Sequence, residues 1–514
     1  MNRNEAEQPL FLGIELGSTR IKAVVIDEKY KPVSSGDYTW ASRFENGIWT
    51  YPLDQVWEGL RASLSEIPHN DRIISMGISG MMHGYLAFDR DWNLLVPFRT
   101  WQNTITAQAA AELTEACGLN IPQRWSIAHL YQALLNKEEH VDKIAHITTL
   151  AGYVHYKLTG VNAVGIGEAS GMFPIDSDGQ CYDLKSLNRI NALISGYHLP
   201  WKVEDVLPAV LTAGATAGRL TPEGAALLGN RLPTGIPLVP PEGDAGTGMA
   251  ATNAVASATG NVSAGTSIFA MVVLEKPLSK VYPEIDMVTT PTGKPVAMIH
   301  CNNCTNDMNE WVELLHQNLA LFGCSVNRED LFTRLYEESL NGDPDCGGIT
   351  VCNYLAGEPV TRFDQGRPFV IRSQKSHFTL ANFLRAHLYS TVATLAAGFD
   401  ILREENVDIS RLMGHGGLFK TPVVGQKYLA AATGSPIRVM KTAGEGGPYG
   451  MALLAAYAMV KNTETLEDFL ERDVFADTES AMLKPLPEDI AGFKTYLSRF
   501  LNSLNVERAA VEFI

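Results

Sequence analysis

Residues 11–27 read FLGIELGSTRIKAVVID and residues 260–274 read GNVSAGTSIFAMVVL. Each is an apolar arm, a turn of small residues and a second apolar arm rich in β-branched side chains, which is the pattern of two strands joined by a tight turn. The first turn is Gly17-Ser18-Thr19, between strands expected over 12–16 and 21–27; the second is Gly265-Thr266-Ser267. Hairpins about 250 residues apart are too distant for a solenoid repeat. They predict two related α/β domains facing each other across a cleft, 1–254 and 255–514.

The rest of the chain keeps an α/β pattern. A strand is expected over 71–78, leading to a glycine-rich end. Helices are expected over 103–117, stopped by Gly118, and over 149–158, with Gly160 just past the end. Thr221-Pro222-Glu223 has the cap, proline and early acid that open a helix. The stretch 229–243 carries Pro233, Pro237, Pro240 and Pro241 and reads as extended. Helical patterns return over 378–402 and 447–460.

Composition bounds the class. The 514 residues are 46% hydrophobic and 19% charged, with a formal net charge of −16. That balance argues against a nucleic-acid surface and against docking on anionic membrane. It leaves room for a phosphate ligand held by backbone N–H groups and a metal ion. Residues 1–9 are polar and lack the apolar core of a signal peptide. The longest uncharged apolar stretch, 450–460, is far short of the ~20 residues of a membrane span. Seven scattered cysteines do not make a secreted disulfide framework. A cytoplasmic protein is expected.

Several segments can carry chemistry. The two small-residue turns let backbone N–H groups approach a phosphate, and Glu15 at the base of the first can hold Mg²⁺ through its waters. Singly, either turn is equally an ordinary hairpin; as a facing pair they read as two phosphate loops. In 240–248, PPEGDAGTG, a strand gives way to a helix of small residues running to about 256. Asp244 reads as its N-cap or, at a cleft-facing strand end, as a base for a sugar hydroxyl. The segment 77–84, GISGMMHG, with Trp101-Gln102-Asn103 after it, offers hydrogen-bonding groups and a flat face for a polyol. Near the end, 414–417 (GHGG) and 444–450 (GEGGPYG) suit a nucleotide against bare backbone or serve as plain turns. Cys301 and Cys304 form a C-x-x-C with no second pair for zinc, so packed or exposed thiols are expected, with zinc or redox chemistry as the minor reading.

These residues resemble the FGGY family of carbohydrate kinases, most of all its xylulokinase-type members, collinearly along nearly the whole chain. ELGSTRIKAVVID is similar to the family's D-x-G-T-S/T-x-R/K phosphate loop. MGISGMMHGYLAFD, followed by PFRTWQN, resembles its G-I-S-G-Q-M-H-G and W-x-D-x-R substrate segment. YKLTG, GRLTPEGAALLG and the GD of Asp244 fall in order, GNVSAGTSIFAMVV is similar to the second phosphate loop, YLAGEPVTRFD to Y-L-x-G-E-R-x-P, and GHGGLFKTPVVGQKYLAAATGSPI to the adenosine-site signature. Glu15 stands in place of Asp, Met81 of Gln, Asn103 of Asp, and Ile105 and Pro359 of Arg; 446–450 replaces E-x-x-A-L-G-A-A.

The resemblance implies two ribonuclease H-like domains of the actin and hexokinase type, with ATP and a sugar meeting in a cleft that closes for transfer. It implies Asp244 as catalytic base and Met82, His83, Trp101 and Asn103 around the sugar. Gly17, Ser18, Thr19, Gly265 and Thr266 would cradle the phosphates, Lys22 would be the loop's basic residue, and Gly416, Gly417 and Gly450 would border the nucleotide. Glu15 would meet Mg²⁺ through water. The expected activity is transfer of the ATP γ-phosphate to a ketopentose or related polyol. A nucleotide- and sugar-binding sensor without catalysis is the alternative. Partners are the sugar and ATP alone, and a homodimer is the assembly to test.

Overall fold

The computed structural model describes residues 8–68, 70–440, 446–461 and 463–514. The first hairpin forms β1 (Leu10–Leu16) and β2 (Arg20–Ile26), joined by β3 (Pro32–Thr39). β4 (Ile73–Gly80) and the short β5 (Glu242–Gly243) complete a sheet of order β5-β4-β1-β2-β3. β1 to β3 run antiparallel, whereas β4 and β5 lie parallel to β1.

The second hairpin, β6 (Thr259–Ala264) and β7 (Ile268–Val273), starts the same design. β8 (Asp286–Thr289) and β9 (Pro295–Cys301) extend it on one side; β10 (Arg411–His415), β11 (Ile437–Met440) and β12 (Ser480–Leu483) extend it on the other. The order is β8-β9-β7-β6-β10-β11-β12, with β10 parallel to β6 and β11 parallel to β10. An antiparallel meander followed by parallel strands thus occurs twice, giving the mixed α/β two-domain fold of the actin and hexokinase type.

Strand alternation separates the layers. In β1, Leu12, Ile14 and Leu16 face a core with α1 (Leu53–Ser65). Phe11 faces the other way, into a core that also holds Met271 and Val273 of β7 and Val296 and Met298 of β9. Glu15 and His300 share the parity of those inter-sheet residues, so period two alone turns both toward the space between the sheets.

Helix boundaries differ from expectation where long-range contacts intervene. α2 covers Ala107–Cys117, four residues later than 103, because Asn103 is held in a turn by the backbone of Trp49. α3 (Leu150–Thr159) starts after the Thr149 cap and stops at Gly160, φ +75°. α4 is the single turn Ile166–Ala169, and α5 (Pro222–Leu227) follows its Thr221 cap. α6 (Asp244–Ala251) ends well before 256, where Asn253 adopts φ +55°. α7 (Asn306–Leu321) and α8 (Leu380–Glu404) cover the far face of the second sheet, and α9 (Gly446–Val460) returns to the first.

At the α6–α9 crossing a β-carbon on Gly450 would lie 1.9 Å from the Thr247 carbonyl oxygen. Gly450 is thus the residue that lets two helices touch; Gly444 and Glu445 lie outside the described residues. Among the described residues no helix is long and apolar enough to cross a membrane.

Candidate active site

The two small-residue turns are built alike, though by different neighbours. In the first, the carbonyls of Gly17 and Ser18 accept from Trp40 Nε1 and the Tyr51 hydroxyl, both at 2.7 Å, and Thr19 O accepts from Trp40 N–H at 3.1 Å. A trans peptide points its N–H opposite its C=O, so the N–H groups of Ser18 and Thr19 face away from these aromatic clamps. In the second, Gly265 O accepts from the Thr305 hydroxyl at 2.8 Å and Thr266 O from Cys304 N–H at 3.0 Å. The N–H groups of Thr266 and Ser267 are turned away by the same geometry. Both turns therefore present donors with their carbonyls tied back, as an anion requires.

Asp244 opens α6 but does not cap it. The N-cap is Gly243, and Asp244 Oδ1 instead accepts from Met82 N–H at 3.2 Å. Burial pushes its carboxyl up to about 6. Glu15, paired with Lys22 across β1 and β2, is pushed up to about 8 by burial and by the charge of Asp244, with Lys22 opposing. Its carboxylate lies at the start of α9: a β-carbon on Gly447 would overlap Glu15 Oε2 at 1.5 Å. Sequence reasoning gave no role to Glu168 or Glu242, which stand behind Asp244. Glu242 accepts from Glu168 N–H at 2.9 Å, and burial pushes Glu242 up to about 8 and Glu168 well above its usual range.

His83 adopts φ +72° and is buried. Its Nδ1 lies 3.1 Å from the Gly171 carbonyl oxygen. That oxygen can only accept, so Nδ1 carries the proton and Nε2 is left as an acceptor. Burial, aided by the charge of Arg124, holds the ring neutral.

Ser18, Met82, His83, Trp101, Asn103 and Asp244 line one cavity of about 910 Å³ between the domains. Gly17, Thr19, Lys22, Gly265, Thr266, Gly416 and Gly417 lie outside its wall; Ser267 reaches it for the second turn. Gly416, at φ +99°, abuts Ala264 at the end of β6, beside that turn. The wall also holds Arg124, Asp286 and His300, which sequence reasoning missed. The parity of His300 with Val296 and Met298 in β9 is the signal that could have found it.

Asn103 is in the wall, but its amide faces inward. Nδ2 donates to Trp49 O at 2.8 Å and Thr100 O at 3.0 Å, and Oδ1 accepts from Trp49 N–H at 2.8 Å. The amide thus pins the hairpin of residues 43–50. Asn103→Asp would set a carboxylate against two carbonyl oxygens, and a loss on the order of 1–3 kcal/mol is expected. Thermal denaturation at neutral pH checks this, and an unchanged midpoint would contradict it.

Cys301 and Cys304 are fully buried, and burial pushes both thiols up, which leaves them unreactive. Among the described residues no group of three or more metal-ligating side chains converges. The thiols pack the core, and Cys304 serves the second turn through its backbone.

Known proteins bear on this geometry. The chain is 24% identical over 472 residues to the xylulose kinase of Haemophilus influenzae, covering 85% of this chain and 91% of that protein. The fold is similar to a gluconate kinase structure from Lactobacillus acidophilus, with TM-score 0.80, 17% identity, and 97% and 98% of the two chains covered. A ligand-bound xylulose kinase from the same organism gives TM-score 0.80 at 16% identity over the same shares. Sequence models of the FGGY family of carbohydrate kinases match its N-terminal domain at residues 10–250 and its C-terminal domain at 260–459. The chain belongs to the FGGY family of carbohydrate kinases and is a phosphotransferase with an alcohol group as acceptor.

Proposed function

We propose that this protein transfers the γ-phosphoryl group of ATP to a primary hydroxyl of a ketopentose of the xylulose type, or of a related open-chain sugar or polyol, in the cytoplasm. The observation that carries this reading is Asp244: half-buried in the cavity wall, held by Met82 N–H, with Ser18 and Ser267 of the two turns in the same wall. The xylulose kinase relative supports the choice of sugar class. The unpaired state of all seven cysteines suits a reducing compartment.

In this reading the sugar lies against Trp101 and Met82, with Nε2 of His83 accepting from a hydroxyl. Asp244 takes the proton of the attacking hydroxyl as its oxygen bonds to phosphorus and the bond from phosphorus to the β-phosphate bridging oxygen breaks. The donors of both turns offset the charge on the phosphates. Glu15 and Asp244 are half-buried carboxylates whose charges oppose each other, an oxygen donor set suited to Mg²⁺. Held through Glu15, the ion would supply positive charge that offsets that of the phosphates. A sensor without catalysis has no use for a base placed in the sugar cavity.

The test is ADP release from ATP and Mg²⁺ against ketopentoses, ketohexoses, deoxysugars and pentitols. Turnover with at least one is expected; ATP binding without turnover on any of them would contradict the reading. The acid limb of the profile follows from Asp244, which must be ionised to accept a proton. With its carboxyl at about 6, kcat/KM should be level above that pH and fall about tenfold per unit below it. A limb near pH 4 would mean the base is an unburied carboxylate.

A further inference from the structure

Arg124, from the segment before residue 126, reaches across the cleft to pair with Asp286 of β8. Asn120 Nδ2 adds hydrogen bonds to Asp286 Oδ1 at 3.1 Å and to Ile285 O at 2.9 Å. Both carboxylate oxygens are therefore engaged by the opposite domain, one by the guanidinium and one by the amide. Arg124 is the only lysine or arginine in the cavity wall among the described residues. It lies close enough to His83 and His300 for its charge to hold both rings neutral, with burial as the larger cause. Position 359, also in the wall, is a proline. The remaining charges there are the carboxylates of Asp244 and Glu115.

A lone arginine in a sugar cavity is a receptor for a carboxylate, because its planar fork matches one. Here the fork is already matched from the other domain. We infer that Asp286 is a specificity-determining residue: by occupying Arg124 it reserves the cavity for uncharged sugars and polyols and excludes sugar acids. This rests on the cavity being the sugar site. A sugar acid could reach Arg124 only by displacing Asp286, which would leave a buried carboxylate without its cation and set two more carboxylates near the ligand. An uncharged sugar meets no such penalty, since hydroxyls can accept from the other guanidinium donors while the pair stays intact.

Asp286→Asn tests this. It keeps an oxygen for Asn120 and removes the charge that neutralises Arg124. Binding of D-xylulose and of D-gluconate to the full chain would be measured by calorimetry, with circular dichroism as the check on folding. The wild type is expected to bind D-xylulose and to discriminate against D-gluconate at least a hundredfold. Asp286→Asn should tighten D-gluconate at least tenfold, and adding Arg124→Met should abolish that gain. Asp286→Ser, smaller and still able to accept from Asn120, gives the same reading should the first variant not fold. Wild-type D-gluconate binding as tight as D-xylulose would overturn the inference, and so would folded variants that gain none. Failure of the kinase reading is distinct: a sugar that binds yet releases no ADP counts against phosphoryl transfer and leaves the role of Asp286 standing.

Discussion

Asp244→Asn should lower kcat about a thousandfold, within the range a positioned general base contributes, and leave sugar binding almost unchanged. The separation of the two effects follows from geometry. Asp244 Oδ1 accepts from Met82 N–H, and the amide oxygen of Asn can take the same bond, so the 82–83 segment keeps its place. What the variant loses is the capacity to take a proton. It also removes a charge that pushes Glu15 up, so its thermal stability at pH 8 should equal or exceed that of the wild type. Calorimetry with the sugar beside steady-state kinetics checks both. Near-normal turnover would reject Asp244 as base, and lost sugar binding would show it to be chiefly a sugar ligand.

Gly450→Ala should destabilise the chain by on the order of 3 kcal/mol, the upper range for forcing a methyl into a packed interior. The opposing atom, the Thr247 carbonyl oxygen, belongs to the backbone of α6 and cannot rotate aside as a side chain would. The helices must separate, and with them the layer between the two sheets, where Met249 and Met451 are buried in one core. Chemical denaturation measures the loss, and ATP affinity in the folded fraction should change little. A variant of normal stability with weakened ATP binding would return Gly450 to the nucleotide site.

The repeated hairpins were legible because strand alternation and small-residue turns are local signals, and the order of motifs along the chain carried the two-domain fold. Asp244 was legible as an acid between a strand and a small-residue helix. The clamps on the first turn were not, since Trp40 and Tyr51 come from separate segments that only the tertiary fold gathers. Asn103 shows the same limit. Its position matched a sugar-site motif, but the partner that engages its amide, the backbone of Trp49, lies on a hairpin whose docking leaves no local trace. Gly450 was rightly marked as needing bare backbone, though the object against it is a helix of this chain. Glu168 and Glu242 escaped notice because a buried acid has no periodic signature; it reads like any surface carboxylate until its surroundings are known. The pairing of Arg124 with Asp286 joins the two domains and is invisible to any local reading for the same reason.

The central claim is that sugar and ATP react in one cavity. Phosphorus NMR of the protein with ATP, Mg²⁺ and D-xylulose or another sugar it binds tests it most directly. The predicted result is a phosphomonoester resonance coupled to methylene protons of the sugar, growing in step with ADP and absent with Asp244→Asn. ADP accumulating with inorganic phosphate and no sugar phosphate, from a protein that binds both ligands, would contradict it.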